Sequence, residues 1–209
     1  MIGIPVLSSL LLSISSPSGA GKTTICKYLL KKIKNVELSI SYTTRHKRIN
    51  EIHGKDYYFI NKEKFFALIK KNFFIEFARV FRNHYGSPHS NINKAFKNNN
   101  HILFDIDWQG ARKLRNNFPA NQIIDFFILP PNKKELKRRL EKRGRDNKKE
   151  ISIRLSHAIR EINHYTDYKY VLINENINET VNNLLNIINH DILISSIEYK
   201  VNKKLKFIK

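Results

Sequence analysis

Apolar residues in this chain fall into short unbroken runs separated by longer stretches in which they recur every third or fourth position. The runs Leu10–Ile14, His101–Asp107, Ile123–Leu129 and Tyr168–Ile173 are too short for helices and predict core strands. Leu38–Ser41 alternates as a shorter strand, and Phe73–Ala78 is strand-like with one carboxylate, Glu76. Helical spacing marks about 22–34, Lys62–Asn72 (apolar at Phe65, Phe66, Leu68 and Ile69), Lys133–Arg145, a helix opened by Arg154, and Ile177–Ile194. Alternating strands and helices predict an α/β fold with a parallel sheet covered on both faces. Pro130-Pro131 closes one strand, Gly144 ends the basic helix, and Lys200–Lys209 is expected to fray. No internal repeat interrupts the order.

The first strand runs into the first helix through LLLSISSPSGAGKTTIC, residues 10–26. Strand, glycine turn and helix start are the parts of a phosphate cradle. Gly19 and Gly21 let successive N–H groups point into one concavity, and the helix N-terminus adds its unpaired donors. Lys22 supplies a mobile charge for the outer phosphates, and the Thr23 hydroxyl is placed to ligate Mg²⁺. The nucleotide-contacting stretch is Ser16, Pro17, Ser18, Gly19, Ala20, Gly21, Lys22, Thr23 and Thr24. Ser16 stands where the strict G-x-x-x-x-G-K-[ST] pattern has its first glycine. An ordinary polar strand–helix connection is the competing account, but GAGKT directly after a β-like run favours a nucleoside triphosphate site.

Three further stretches carry candidate chemistry. Ser41-Tyr-Thr-Thr-Arg45-His-Lys-Arg48 sets hydroxyls beside two arginines, either a second anion site or a solvated basic loop. HILFDID ends in Asp105 and Asp107, which project to one face of an extended chain; they could support Mg²⁺ or cap the following helix. KKELKRRLEKRGR is in large part a solvated face, with Arg139 and Arg143 four apart on one side.

Composition narrows the picture. At 209 residues and 41% hydrophobic, one domain with a sizeable core is expected. The lone cysteine, Cys26, excludes an internal disulfide, fits a reducing compartment, and reads as a buried apolar residue. The apolar start lacks basic residues before Lys22 and leads straight into the loop, so a strand is expected there rather than a signal peptide. No apolar run reaches the roughly 18 residues of a membrane span. Cytoplasmic location and no membrane partner are the expectations. The formal charge of +20 is scattered, not striped, so only weak, salt-sensitive RNA association is expected and no specific nucleic-acid partner. The eight histidines show no metal-site spacing.

From about Leu10 to Asn189 the chain resembles the guanylate kinases. S-G-A-G-K-T, S-x-T-T-R-x-x-R, H-G-x-x-Y, N-H-Y-G-S at Asn83–Ser87, and Trp108-Gln-Gly-Ala after the paired acids carry the likeness. The resemblance implies a P-loop NTPase fold with a five-stranded parallel core sheet flanked by helices. It further implies a mixed-strand GMP-binding insertion near 37–89, a helical lid at 131–154, the core at 1–36, 90–130 and 155–195, and a basic tail at 196–209. It implies phosphoryl transfer from ATP to GMP, with Mg²⁺ on the ATP phosphates held by Thr23 and, through water, Asp105. GMP would be bound by Ser41, Arg45, Arg48, Tyr57, Glu76, Tyr85, Ser87 and Asp107. Lys22, Arg45, Asp105 and the lid arginines Arg139, Arg143 and Arg154 would serve the transfer. Glu76, otherwise a plain strand residue, would read guanine, whose adjacent N1–H and N2–H donors match a carboxylate. Ile49-Asn50 replaces a frequent proline or glycine, and His84 replaces a tyrosine at a position not expected to touch substrate. A monomer or homodimer is expected, with dGMP a conceivable second acceptor. Scaffold modules of the same fold typically lack an intact phosphate loop or lid arginines; Lys22, Thr23, Arg139, Arg143 and Arg154 all stand here, which favours the enzyme.

Overall fold

The structure is a computed structural model that describes residues 9–142 and 148–208. Five parallel strands form the central sheet: β1 (Leu11–Ser15), β2 (Val36–Leu38), and three later strands that follow β3 (Tyr42–Thr43), β4 (Tyr58–Phe59), β5 (Phe74–Val80) and β6 (Asn83–Pro88). Those later strands are β7 (His101–Asp105), β8 (Ile123–Leu129) and β9 (Tyr170–Ile173). The sheet order is β2-β7-β1-β8-β9, so β1 lies at the centre and its C-terminal end opens between its neighbours. Every residue of β1 is buried, including Ser13 and Ser15, which interleave with Leu12 and Ile14.

The side-chain alternation of β1 divides two cores. Leu10, Leu12 and Ile14 face a cluster with α1 (Lys22–Lys32) and α7 (Ile177–Ile208), including Ile25, Leu29, Val181, Leu184 and Ile188. Leu11 faces the opposite cluster, built with α3 (His89–Lys97) and α4 (Trp108–Asn117) through Ile92, Ala95, Ala111 and Leu114. Cys26 is buried in the first, and burial pushes its thiol pKa up, as suits a small apolar packing residue.

A second sheet, order β4-β3-β6-β5, is mixed: β3 pairs parallel with β4 and antiparallel with β6, and β5 with β6 forms an antiparallel hairpin. Between β4 and β5 the chain forms α2 (Lys62–Lys70), whose N-terminus is capped by Asn61. Beyond β8, α5 (Lys133–Lys142) and α6 (Lys148–Ile162) pack on one another through Leu136, Leu140 and Ala158.

Several boundaries differ from the sequence expectation. The strand expected over His101–Asp107 ends at Asp105, since Asp107 caps α4, and the helix expected to open at Arg154 already begins at Lys148. The short strand expected at 38–41 is divided: β2 ends at Leu38, Ser39 N–H donates to the Leu103 carbonyl (2.8 Å), and the chain then enters the second sheet at Tyr42. The final strand starts at Tyr170, two residues late, because Tyr165–Asp167 forms a 3₁₀ turn. The stretch expected to fray instead continues α7 to Ile208.

One buried charge ties β8 to its surroundings. Asp125 accepts from Arg115 Nη1 (2.7 Å) and from the Lys169 backbone N–H (3.1 Å), and Arg115 lies over the Tyr168 ring. Asp125→Ala strands both donors and should destabilise the protein by about 2–3 kcal/mol in denaturant melts. Asp125→Asn, which keeps an acceptor, should lose less.

Candidate active site

The loop from β1 to α1 is shaped by two left-handed glycines, Gly19 (φ 101°) and Gly21 (φ 103°). A Cβ on Gly21 would lie 2.6 Å from Asn174 Nδ2, and one on Gly19 2.8 Å from Leu136 Cδ1. The loop is therefore held at close quarters as well as twisted. No side chain caps α1, whereas Asp107 caps α4 and Asn61 caps α2, so the α1 N-terminus keeps its donors for a ligand.

Behind the loop, the Ala20 carbonyl accepts from buried Asn174 Nδ2 (2.7 Å) and from Arg139 Nη1 (3.4 Å). Arg139 also binds the Asn174 carbonyl (2.9 Å) and Glu135 (2.8 Å). In front, Lys22 Nζ reaches Asp105 Oδ1 (2.7 Å) and the Ile106 carbonyl (2.7 Å). Burial works against the ammonium, but Asp105 outweighs it and holds the Lys22 pKa above the ordinary lysine range. Thr23 Oγ1 stands 3.4 Å from Asp105 Oδ2. The two strand-end acids thus divide their work: Asp105 faces the lysine, while Asp107 accepts from Gly110 N–H (3.0 Å) and Gln109 Nε2 (2.8 Å).

Across the cleft, Glu51 clamps the arginine loop. Its carboxylate takes Arg45 in a bidentate pair (2.8 and 2.9 Å), accepts the Arg48 N–H (2.9 Å), and lies 3.6 Å from Arg48 Nη1. The rings of Tyr57 and Phe59 flank the Arg45 guanidinium at 5.4 and 5.6 Å, and Tyr85 meets Tyr57 edge-on.

On the β5–β6 hairpin, Glu76 is 2% exposed and Ser87 Oγ donates to its Oε1 at 2.5 Å; Ser41 Oγ continues the chain 3.0 Å from Ser87 Oγ. Burial pushes the Glu76 pKa up to about 7, with nearby Asp107 adding to the rise and Ser87 and Lys113 opposing it. A Cβ on Gly110 would sit 2.5 Å from Glu76 Oε2, so only glycine leaves the carboxylate its place.

Residues of the phosphate loop, the arginine loop and the hairpin line one cavity of ≈ 210 Å³. Of the residues singled out in the sequence, Ser16, Pro17, Ser18, Gly19, Gly21, Lys22, Thr23, Ser41, Arg45, Arg48, Tyr57, Glu76, Tyr85, Asp105, Asp107 and Arg154 line it. Ser87 stands one hydrogen bond behind Glu76, while Ala20 and Arg139 brace the loop from outside the lining; Thr24 lies in the first turn of α1. Arg143 lies outside the described residues. His84 turns its ring onto Phe65 and Phe66, away from the lining. Sequence reasoning missed Glu51, Asn174, Gly110 and Glu161, the last a cavity-lining carboxylate that accepts the Ser18 N–H (3.1 Å).

Comparison with known proteins agrees with this arrangement. A family model described as guanylate kinase matches residues 9–191. A guanylate kinase of Blochmanniella pennsylvanica is 45% identical over 183 residues, 86% of each chain, and one of Buchnera aphidicola subsp. Schizaphis graminum is 44% identical over 181 residues, again 86% of each. The solved guanylate kinase of Anaplasma phagocytophilum superposes with a TM-score of 0.73 at 36% identity, covering 88% of this chain and 86% of its own. With its phosphate loop, its arginine-bearing mixed sheet and its buried carboxylate joined in one cleft, the chain belongs to the guanylate kinase family.

Proposed function

We propose that this cleft moves the γ-phosphoryl group of ATP to GMP, giving ADP and GDP, with the roles below. The observation that carries the reading is the pairing of two anion sites of different construction across one cavity. The phosphate loop with Lys22 suits a polyphosphate tail, and Arg45, Arg48, Tyr57 and Tyr85 with Ser41 suit a single terminal phosphate. Glu76 and Ser87 lie beside the second site, where a base attached to that phosphate would fall, and Asp107 adds a carboxylate next to them.

Thr23 and Asp105 suit Mg²⁺: two hard oxygen donors within 3.4 Å of each other at the mouth of the phosphate loop. When bound with ATP, the ion would neutralise charge on the β- and γ-phosphates. The protein's own part is placement. Lys22 leaves Asp105 for phosphate oxygen, and Arg45 leaves Glu51 for the GMP phosphate, which holds the acceptor oxygen in line with the donor. Arg154 supplies a guanidinium to the equatorial oxygens on which charge gathers. Arg143 is assigned to the same lid. Arg139, tied to Ala20 and Asn174, holds the loop to α5 and to the strand end before α7. The location that fits these substrates is the cytoplasm; no described helix is long and apolar enough to cross a membrane.

Lys22→Ala should abolish turnover and leave the far-UV CD spectrum nearly unchanged. GDP formation at a normal rate by that variant would refute the phosphate-loop role.

Guanine selectivity should reside in Glu76. AMP presents a bare N1 lone pair and no 2-amino group, so it leaves the carboxylate unpaired, and sites built on paired polar groups discriminate by up to ~10⁴–10⁵. Glu76→Gln should lose most of the GMP kcat/KM and narrow the gap to AMP. Glu76→Ala should lose GMP activity without gaining an AMP activity. Equal use of AMP and GMP by the unaltered protein would refute the assignment.

Acid should weaken GMP binding through the same group. The Glu76 carboxyl, with its pKa raised to about 7, is mostly protonated at pH 6 and offers one acceptor fewer. The kcat/KM for GMP should therefore rise with pH through about 7, falling as pH drops below it and more steeply below ~6, where the GMP phosphate also gains a proton. Glu76→Gln should keep only the inflection near ~6 that belongs to the monophosphate itself. In the free protein the sign is reversed. A raised carboxyl pKa favours the fold below the ordinary value of 4.5, and that contribution is lost as pH climbs to about 7.

A further inference from the structure

Among the described residues, four positions other than glycine hold a left-handed backbone: Asn35, Asn72, Asn99 and Phe81, with φ between 50° and 58°. Asparagine enters that region at little cost because its short polar side chain bonds locally; phenylalanine does not. Phe81 occupies the tip of the β5–β6 hairpin, between the paired residues Val80 and Asn83, and it is only half-buried. It belongs to none of the core clusters, so core packing does not account for a strained aromatic residue there.

Phe81 lines the cavity described above, and its ring also meets one face of α6. The His157 ring meets it edge-on at 4.9 Å, and the Arg154 guanidinium lies 5.4 Å above it. Residues 154, 157 and 161 share a helix face, and the third of them, Glu161, is bonded to the phosphate-loop N–H of Ser18. A single face of α6 thus meets the hairpin tip with one end and the phosphate loop with the other. Glu76, Tyr85 and Ser87 stand on the two strands of that same hairpin.

We infer that Phe81 is a positioning residue that couples occupancy of the GMP site to the placement of Arg154 over the ATP site. The inference rests on the roles proposed above for the hairpin and for Arg154. GMP held by Glu76 and Ser87 fixes the hairpin, and the hairpin fixes the ring. The ring's electron-rich face, supported by His157, then fixes the guanidinium. Phe81 itself lines the cavity, beside Arg154, and in this chain of contacts it acts on the transfer through the guanidinium. A left-handed backbone at the tip aims the ring at α6, which explains why the position carries strain that asparagine would relieve.

Phe81→Asn is the informative variant, because it suits the backbone and removes the ring. Equilibrium binding of a non-hydrolysable ATP analogue is measured with and without GMP on the full chain, beside steady-state kinetics and thermal melting. In the unaltered protein GMP should tighten the analogue about 5-fold or more. In Phe81→Asn that gain should vanish and kcat should drop about 10- to 100-fold, while GMP affinity and the melting temperature stay level or the latter rises. Phe81→Tyr, which keeps the ring, should restore both coupling and kcat. Undiminished coupling and kcat in Phe81→Asn, or no coupling in the unaltered protein, would overturn the inference. Arg154→Ala separates the two layers. A fall in its kcat beside an intact Phe81→Asn variant refutes the coupling alone, whereas an unchanged Arg154→Ala variant refutes the role of Arg154 itself.

Discussion

A cleft that binds two phosphorylated ligands must remain stable when it is empty, and the pairing of its donors with internal carboxylates meets that constraint. Asp105 holds Lys22, Glu51 holds Arg45 and the backbone of Arg48, Glu161 holds the Ser18 N–H, and Glu135 holds Arg139 outside the lining. Half-buried cations left without such partners would cost several kcal/mol each. On the proposed reading, the carboxylates stand in for the phosphates the reaction brings. A phosphate carries more charge and more acceptor oxygens than the carboxylate it replaces. Ligand binding is therefore an exchange of partners, and donor geometry is largely set before the ligand arrives. The same logic reaches guanine. Glu76 is shielded from water and held by one hydroxyl, which leaves room for donors that a base can supply.

How much of this was legible in the sequence depends on how local the information is. The phosphate loop is written in consecutive residues, so strand, glycines, lysine and threonine announce themselves together. Strands β1, β7 and β8 are legible because burial on both faces makes most of their residues apolar. The carboxylate partners are not, because each is a single polar residue in a chain rich in them. Glu161 meets Ser18 across 143 residues and Asn174 meets Ala20 across 154. No spacing rule connects such positions. Gly110 is a helix residue whose necessity appears only once Glu76 lies against it.

Intermediate cases show where a correct local rule stops. Alternation placed Asp105 and Asp107 on one face, and both line the cleft, yet their division of labour rests on helix geometry. The residue that starts α4 must offer an acceptor to the Gly110 N–H, which commits Asp107 and leaves Asp105 to the lysine. Likewise the arginine loop was visible as a basic, hydroxyl-rich segment. That Glu51 organises it was hidden, because one acid six residues from Arg45 has the same appearance in a solvated loop.

The net charge of +20 raises the question of whether the site is simply a concentrated part of a basic surface. The cavity lining argues otherwise. It carries Lys22, Arg45, Arg48 and Arg154 against Glu76, Asp105, Asp107 and Glu161, four of each sign. Selectivity for phosphate thus arises from where each charge stands and what it can exchange, not from an excess of one sign. The surplus lysine and arginine elsewhere act only as a long-range field, which draws anionic ligands in and is screened beyond a Debye length of roughly 8–10 Å. Glu76 sharpens the point. Burial raises its pKa to about 7, with Asp107 adding to the rise, so without a further partner its ionised form is disfavoured. A base offering two N–H donors favours the ionised carboxylate and draws the carboxyl proton off. On the proposed reading, the group that selects the base would also adjust the charge of the cavity as the base arrives.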